Sequence, residues 1–104
     1  MKIFISQPMN GKSEEEILEE RKYAIADAKR RFSGFGDDVE IIDSYFEDYN
    51  PTGGCIALKY LAKSIELLAD ADVAYFMKGW KDARGCKIEF ECAKAYGVNY
   101  IAEG

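Results

Sequence analysis

The sequence predicts an α/β protein, a three-layer sandwich of the flavodoxin/Rossmann-like kind with a short parallel sheet. Four short apolar segments alternate with three helical segments along the 104 residues. Such alternation is typical of parallel strands joined by right-handed crossovers, so we expect four strands in the order 2-1-3-4. A chain of this length forms one domain, and no repeat or linker divides residues 1–104.

The first half of the chain contains two predicted strands and a long helix. Apolar residues 2–5 predict a strand, and the loop that follows at 6–12 carries proline and glycine. Ser13, with a glutamate three residues later, forms a capping-box pattern that starts a helix running to about Phe32. The run Val-Glu-Ile-Ile at 39–42 predicts the second strand.

The second half repeats the alternation with shorter elements. Polar and aromatic residues at 43–54 predict a long loop, and residues 78–85 predict another, with glycine, tryptophan and aspartate. Long loops in small domains are often functional. The elements predicted here are a helix at 56–69, a strand at 73–77, a helix at 86–96 and a strand at 98–101.

The amino-acid composition excludes several classes of partner and of catalytic site. The net charge of −5 argues against a nucleic-acid polymer as partner. The absence of histidine excludes catalytic triads built on it and most zinc sites. Three cysteines with wide spacing, and no signal peptide, argue against a disulfide framework. No apolar run is long enough to cross a membrane. We therefore expect a cytoplasmic protein that handles a small molecule, without a metal or cofactor.

The candidate site follows from the predicted topology. In parallel sheets of this kind, ligands bind beyond the carboxyl ends of the strands, where the order reverses. The loops at 6–12, 43–55 and 78–85 meet at that edge. The first of them carries two amides, Gln7 and Asn10, beside a helix N-terminus, which favours polar or anionic ligand groups. A plain turn punctuated by proline and glycine is the alternative.

Glu89 is the candidate catalytic residue. It lies in about the first turn of the predicted third helix, next to the same edge of the sheet, and the helix N-terminus favours its ionised form. An ionised carboxylate held against a sugar can act as a nucleophile or stabilise an oxocarbenium-like centre. By composition alone, Glu89 would be an ordinary solvated glutamate.

Three segments together resemble the nucleoside 2-deoxyribosyltransferase-like superfamily, which includes deoxynucleotide N-glycosidases. Residues 2–11 look like its opening strand and substrate loop, and residues 68–74 look like its aspartate followed by an apolar strand. Residues 85–97 look like its helix with glycine, glutamate, alanine and glycine at fixed spacing. More narrowly, the sequence is similar to a branch of short phage- and prophage-associated proteins in that superfamily.

The resemblance implies cleavage of an N-glycosidic bond, with Glu89 as nucleophile and a nucleoside or nucleoside 5′-monophosphate as substrate. Independently of the resemblance, a core this small leaves modest stability, so we expect burial against a second copy in a homo-oligomer. Ser64 stands where the family often has a substrate-binding aspartate, and Asp82 lies beside the position of a second family carboxylate, which here is Ala83. The predicted substrate-binding residues are Ser6, Gln7, Met9, Asn10, Gly11, Ser64, Trp80, Asp82, Arg84 and Gly85.

Several aromatic and charged residues have two interpretations. Trp80 stacks on a base or packs at a subunit interface. Arg84 holds a phosphate or pairs with Asp82 on the surface. Cys86, at a helix start, is an activated thiol or a small buried apolar residue, and the second is favoured. The candidates for lining the part of the pocket that contacts the nucleobase are Tyr45, Tyr49 and Asn50. Tyr45 and Phe46 could equally belong to the core.

Three functions remain open from the sequence. The first is an enzyme that transfers or hydrolyses the 2-deoxyribose link. The second is a module that binds a nucleotide in the same pocket without chemistry, which the serine at position 64 favours. The third is a purely structural oligomer built through the acidic first helix and exposed aromatic residues.

Overall fold

The computed structural model describes residues 1–45 and 49–104. Four strands alternate with three helices in this part of the chain, and two short 3-10 turns, Ser33–Asp38 and Trp80–Asp82, join them. The strands and helices are β1 Lys2–Ser6, α1 Glu14–Arg31, β2 Glu40–Ile42, α2 Ile56–Leu68, β3 Val73–Phe76, α3 Arg84–Ala95 and β4 Asn99–Ala102.

The strands form one parallel sheet in the order β2-β1-β3-β4, which confirms the predicted topology. In the register, Phe4 of β1 lies opposite Ile42 on one side and Ala74 on the other. The order reverses between β1 and β3, because β2 and β4 lie outside them. Their carboxyl ends, at Ser6 and Phe76, therefore border the crevice in which such sheets bind ligands.

The helices cover both faces of the sheet and make three layers. Side chains of a strand alternate between the faces. Ile3, Ile5 and Tyr75 pack against Ala24 and Ala28 of α1. On the other face, α2 and α3 cover a second cluster of buried apolar side chains: Phe4, Leu68, Ala74, Phe76, Trp80, Cys86 and Ala93. No helix among residues 1–45 and 49–104 is long and apolar enough to span a membrane.

The helix boundaries agree with the sequence except at the start of α3. We expected Arg84 and Gly85 to belong to a loop, but α3 begins at Arg84, after the extended N-cap residue Ala83. Glycine interrupts a helix least in its first turn, where the N–H groups have no intrahelical acceptor to lose. The earlier start moves Glu89 from the first turn to the second.

Candidate functional site

A cavity of about 660 Å³ opens at the carboxyl edge of the sheet. The loop after β1 forms one wall, the first turns of α2 form another, and the segment Asp82–Cys86 forms a third. Ser44 and Tyr45, which follow β2, contribute to the same cavity. The predicted meeting of the three loops is therefore present in the structure.

Glu89 lies in the wall of this cavity and is 6% exposed. Ser6, the last residue of β1, faces the layer of α2 and α3, and its hydroxyl donates a hydrogen bond of 2.7 Å to Glu89 Oε1. Ser64, predicted as a substrate-binding residue on α2, also lines the cavity, and its hydroxyl group is near enough to Glu89 to lower the pKa of the carboxyl group. The carboxyl group is thus held between two hydroxyl groups from separate elements.

Burial determines the charge of Glu89. Desolvation raises its pKa from 4.5 to about 7, and the nearby hydroxyl groups of Ser6 and Ser64 only partly oppose this rise. A carboxylate loses the solvation of its charge when it is buried, and no cation pairs with Glu89 among the ion pairs of the described residues. The expectation that the helix N-terminus would favour the ionised form is therefore wrong, because burial is the larger effect.

The loop after β1 contributes three of its predicted residues to the cavity: Gln7, Met9 and Asn10. The Gln7 side chain is buried, and its Nε2 donates to the Ile17 carbonyl of α1 at 2.7 Å, which fixes the amide orientation. Its Oε1 has no hydrogen-bond partner in the part of the chain that the structure describes.

Gly11 was also predicted to bind substrate, but it is outside the cavity wall. It has a φ of +78°, a backbone conformation that favours glycine, and nothing lies within 4 Å of where a Cβ would stand. Its role is in the turn that leads into α1.

Asp82, Arg84 and Gly85 line the cavity as predicted. The ion pairs found in residues 1–45 and 49–104 do not join Asp82 to Arg84, so the surface-pair interpretation is wrong. The N-cap residue Ala83 makes no side-chain capping bond, so the first N–H groups of α3 have no side-chain acceptor at the cap. Together with the Arg84 guanidinium, this end of α3 can accept an anionic group.

Trp80 does not line the cavity, and the prediction that it stacks on a base is wrong. The side chain is 8% exposed and stacks on Phe90, with 4.3 Å between ring centroids. Its Nε1 donates to the Glu103 carbonyl at 3.1 Å. The alternative, packing at a subunit interface, is also wrong, because the turn after β3 directs the ring into the core between the sheet and α3.

The loop after β2 contributes Tyr45 to the cavity, whereas Tyr49 packs edge-on against Tyr60 at 5.2 Å. Tyr49 and Asn50 were expected on the base side of the pocket, but neither lines the cavity. Phe46, the other candidate core residue, lies outside the described residues.

Sequence reasoning missed part of the α2 wall, which contains Ala57, Tyr60 and Leu61 in addition to Ser64. Ala57, Leu61 and Ser64 are spaced at i, i+4 and i+7, so they share one face of the helix. This spacing, counted back from Ser64, is the signal that could have found them.

Cys86 lies at the end of the third wall of the cavity and is 4% exposed. Desolvation raises its pKa to about 11, so the thiol is protonated at neutral pH and is a poor nucleophile. The interpretation of Cys86 as a buried apolar residue is therefore confirmed. Among residues 1–45 and 49–104, no group of three or more histidine, cysteine, aspartate or glutamate residues lies close enough to hold a metal ion.

These features define a small Rossmann-like α/β protein with a buried carboxyl group at the mouth of its sheet. The sequence model of a family described as a domain of unknown function, DUF4406, matches residues 1–102, so the chain belongs to that family. No curated protein and no solved structure matches the chain.

Proposed function

We propose that the protein cleaves or transfers the N-glycosidic bond of a nucleoside or nucleoside 5′-monophosphate, with Glu89 as the nucleophile. The observation that carries the proposal is the position of Glu89, buried in the wall of a cavity of about 660 Å³ and oriented by Ser6. That volume is within the range of small-molecule sites. The resemblance to the nucleoside 2-deoxyribosyltransferase-like superfamily supplies the reaction class.

The proposed reaction has two displacement steps. In the first, a Glu89 oxygen bonds to the anomeric carbon while the bond to the base nitrogen breaks, and the departing base takes the electron pair and a proton. The cavity is open to solvent, so water delivers that proton, and Asp82, an exposed carboxyl group in the cavity wall, can orient this water. In the second step, water or another base attacks the same carbon and gives up its proton to solvent, while the bond between that carbon and Glu89 breaks and restores the carboxylate.

The nucleophile must be ionised, so the raised pKa of Glu89 has a direct consequence. A substrate that reaches the cavity meets a mixture of protonated and ionised Glu89 at neutral pH, since the pKa is about 7. Only the ionised fraction attacks. The rate of the first step should therefore rise with pH through about 7 and level off above it.

A phosphate group has a matching place in the proposed complex. The N-terminus of α3, with Arg84 exposed beside it, borders the cavity next to the turn that carries Glu89. Positive potential there favours a nucleoside 5′-monophosphate over the free nucleoside.

A second candidate function is binding of a nucleotide in the same cavity without chemistry. Ser64 favours it, because a serine can hydrogen-bond a hydroxyl group but cannot supply the charge of a carboxylate. The protonated form of Glu89 also favours it, since a neutral carboxyl group can donate a hydrogen bond to a ligand instead of attacking it.

Release of free base from a panel of deoxynucleosides and their 5′-monophosphates, followed by chromatography, tests the proposal. The wild-type protein should release base, and Glu89→Gln should reduce the rate by at least about a thousandfold. The matched control is Glu66→Gln, which removes an exposed carboxylate on α2 outside the cavity and should retain the rate.

Thermal unfolding with the same panel separates the two functions. Stabilisation by a nucleotide without any product supports the binding module, whereas full activity of Glu89→Gln contradicts the nucleophile. If no member of the panel is cleaved and none raises the melting temperature, both functions are refuted.

The proposal includes a cytoplasmic homo-oligomer with no nucleic-acid polymer and no membrane as partner. The negative net charge supports the absence of a nucleic-acid polymer among the partners. The exposed apolar side chains on the layer of α2 and α3 support self-association.

A further inference from the structure

The outer face of α3, which points away from the sheet, carries a shallow apolar groove. It has a volume of about 390 Å³ and is lined by side chains of this helix between Arg84 and Tyr96. Within it, Ile88 is 40% exposed and Tyr96 is 86% exposed. Large apolar side chains gathered on one layer are typical of a binding surface.

The charged residues in the groove wall are ordered along α3. Arg84 and Lys87 lie in its N-terminal half, and Glu91 lies one turn after Lys87. All three are exposed. Lys87 and Glu91 are four residues apart, yet they are not joined in the ion pairs found in residues 1–45 and 49–104. A partner with the reverse order of charges would therefore match this face.

We propose that the partner is a second copy of this chain, whose α3 packs antiparallel against the first around a two-fold axis beside Ile88. The two-fold axis brings the same surface of both copies together, so the surface must complement itself. Antiparallel pairing places Lys87 of each copy beside Glu91 of the other. Parallel pairing would instead bring Lys87 next to Lys87 and Glu91 next to Glu91, which repel.

The same arrangement brings Tyr96, the most exposed aromatic side chain of the groove, into contact with the other copy. Arg84 at the start of one α3 lies near Tyr96 at the end of the other, where a guanidinium can contact the aromatic face. The two Ile88 side chains meet at the axis and exclude water from the centre of the contact.

This interface would border the candidate site. Arg84 lines both the groove and the cavity that contains Glu89. A second copy on the groove therefore lies at the rim of that cavity and restricts the positions open to the Arg84 side chain. The inference does not rest on the glycosidic chemistry, since the groove residues Lys87, Ile88 and Glu91 lie outside that cavity.

Sedimentation velocity over a concentration series, with reciprocal charge variants, tests the interface. The wild-type protein should form a dimer. Lys87→Glu and Glu91→Lys should each weaken the dimer by at least about tenfold, because each replaces two attractive contacts with two repulsive ones. The double variant K87E/E91K restores opposite charges and should recover the wild-type dissociation constant to within about threefold.

Two further variants control the experiment. Lys22→Glu makes the same charge change on exposed α1, across the sheet, and should leave the dimer intact. Ile88→Glu should abolish the dimer. Circular dichroism checks that each variant is folded, and none of these substitutions alters a buried side chain. A wild-type protein that stays monomeric throughout the series overturns the proposal, as does a dimer that is insensitive to the single variants or is not restored in the double variant.

Discussion

The substitution Glu89→Gln should make the protein more stable above neutral pH, even though it removes the proposed nucleophile. The pKa of Glu89 rises from 4.5 to about 7 on folding, so the folded state holds this proton more tightly than the unfolded state. The resulting stabilisation is fully present below pH 4.5 and is lost as the pH rises through 7. Glutamine keeps the shape of the protonated side chain and does not titrate.

The size of the effect follows from the change in pKa. One pKa unit corresponds to about 1.4 kcal/mol, so the wild-type protein should lose roughly 3 kcal/mol of unfolding free energy between pH 4.5 and pH 8 that the Gln variant keeps. Glu89 is 6% exposed, so solvent screens this effect little. A domain of this size has about 5–15 kcal/mol of total stability, which makes such a difference large.

Urea unfolding at a series of pH values measures the difference. Trp80 is the single tryptophan and is buried, so its fluorescence reports the transition. The quantity to compare is the pH dependence of the variant-minus-wild-type free energy, because any constant cost of the amide cancels. Glu66→Gln, an exposed control on α2, should change the free energy by less than about 0.5 kcal/mol. The assignment of Glu89 as a buried carboxyl group without an ion-pair partner is refuted if the variant-minus-wild-type free energy for Glu89→Gln does not change with pH. It is also refuted if this free energy falls as the pH rises.

Two further predictions concern the core beside the site. Trp80→Ala should lower the unfolding free energy by about 3–5 kcal/mol, because it leaves a void beside Phe90. Trp80→Phe should leave the affinity of the candidate site for a ligand unchanged, as measured by calorimetry. A tenfold loss of affinity in Trp80→Phe would show that Trp80 belongs to the site. A thiol reagent should label exposed Cys55 readily in the native protein at pH 8 but label Cys86 only in denaturant, as mass spectrometry of digested protein can show.

The fold was predictable from the sequence because each local signal agreed with the global arrangement. The strands β1 and β3 are short apolar runs between polar loops, and the capping box at Ser13 marks the start of α1 in the structure as in the sequence. Parallel pairing then follows from the alternation of strands and helices, and the order 2-1-3-4 is the one that flavodoxin-like folds share. The boundary of α3 was less predictable, because Gly85 is a helix breaker in most positions but not in a first turn.

The candidate site was predictable in its location but not in its electrostatics. The loops after β1 and β3 had to meet at one edge, so Gln7 and Asp82 were found from topology. The environment of Glu89 depends on Ser6, which is 83 residues away in sequence, and on the depth at which α2 covers it. Local sequence carries no measure of that depth. For the same reason it could not show that Trp80 turns into the core.

Two buried carboxyl groups among the described residues, those of Asp27 and Glu89, differ in how their charge is compensated. Asp27, 5% exposed on α1, accepts a hydrogen bond from Tyr75 and pairs with Arg31 and Arg30, and these partners hold its pKa well below its usual range. Its charge is compensated, so it joins α1 to β3 without a large penalty for burial.

Glu89 has no such compensation: its partners are neutral hydroxyl groups, and its pKa moves in the opposite direction. The neighbouring positions of α3 that face the sheet are occupied by Cys86 and Ala93. These side chains carry no charge at neutral pH, so they pack without the desolvation penalty of a carboxylate. A helix required only to cover the sheet would be more stable above neutral pH with an apolar residue or a glutamine at position 89. The penalty agrees with the proposed role of Glu89 as a nucleophile, because a carboxyl group with a pKa of about 7 is partly ionised at neutral pH and can then attack a ligand.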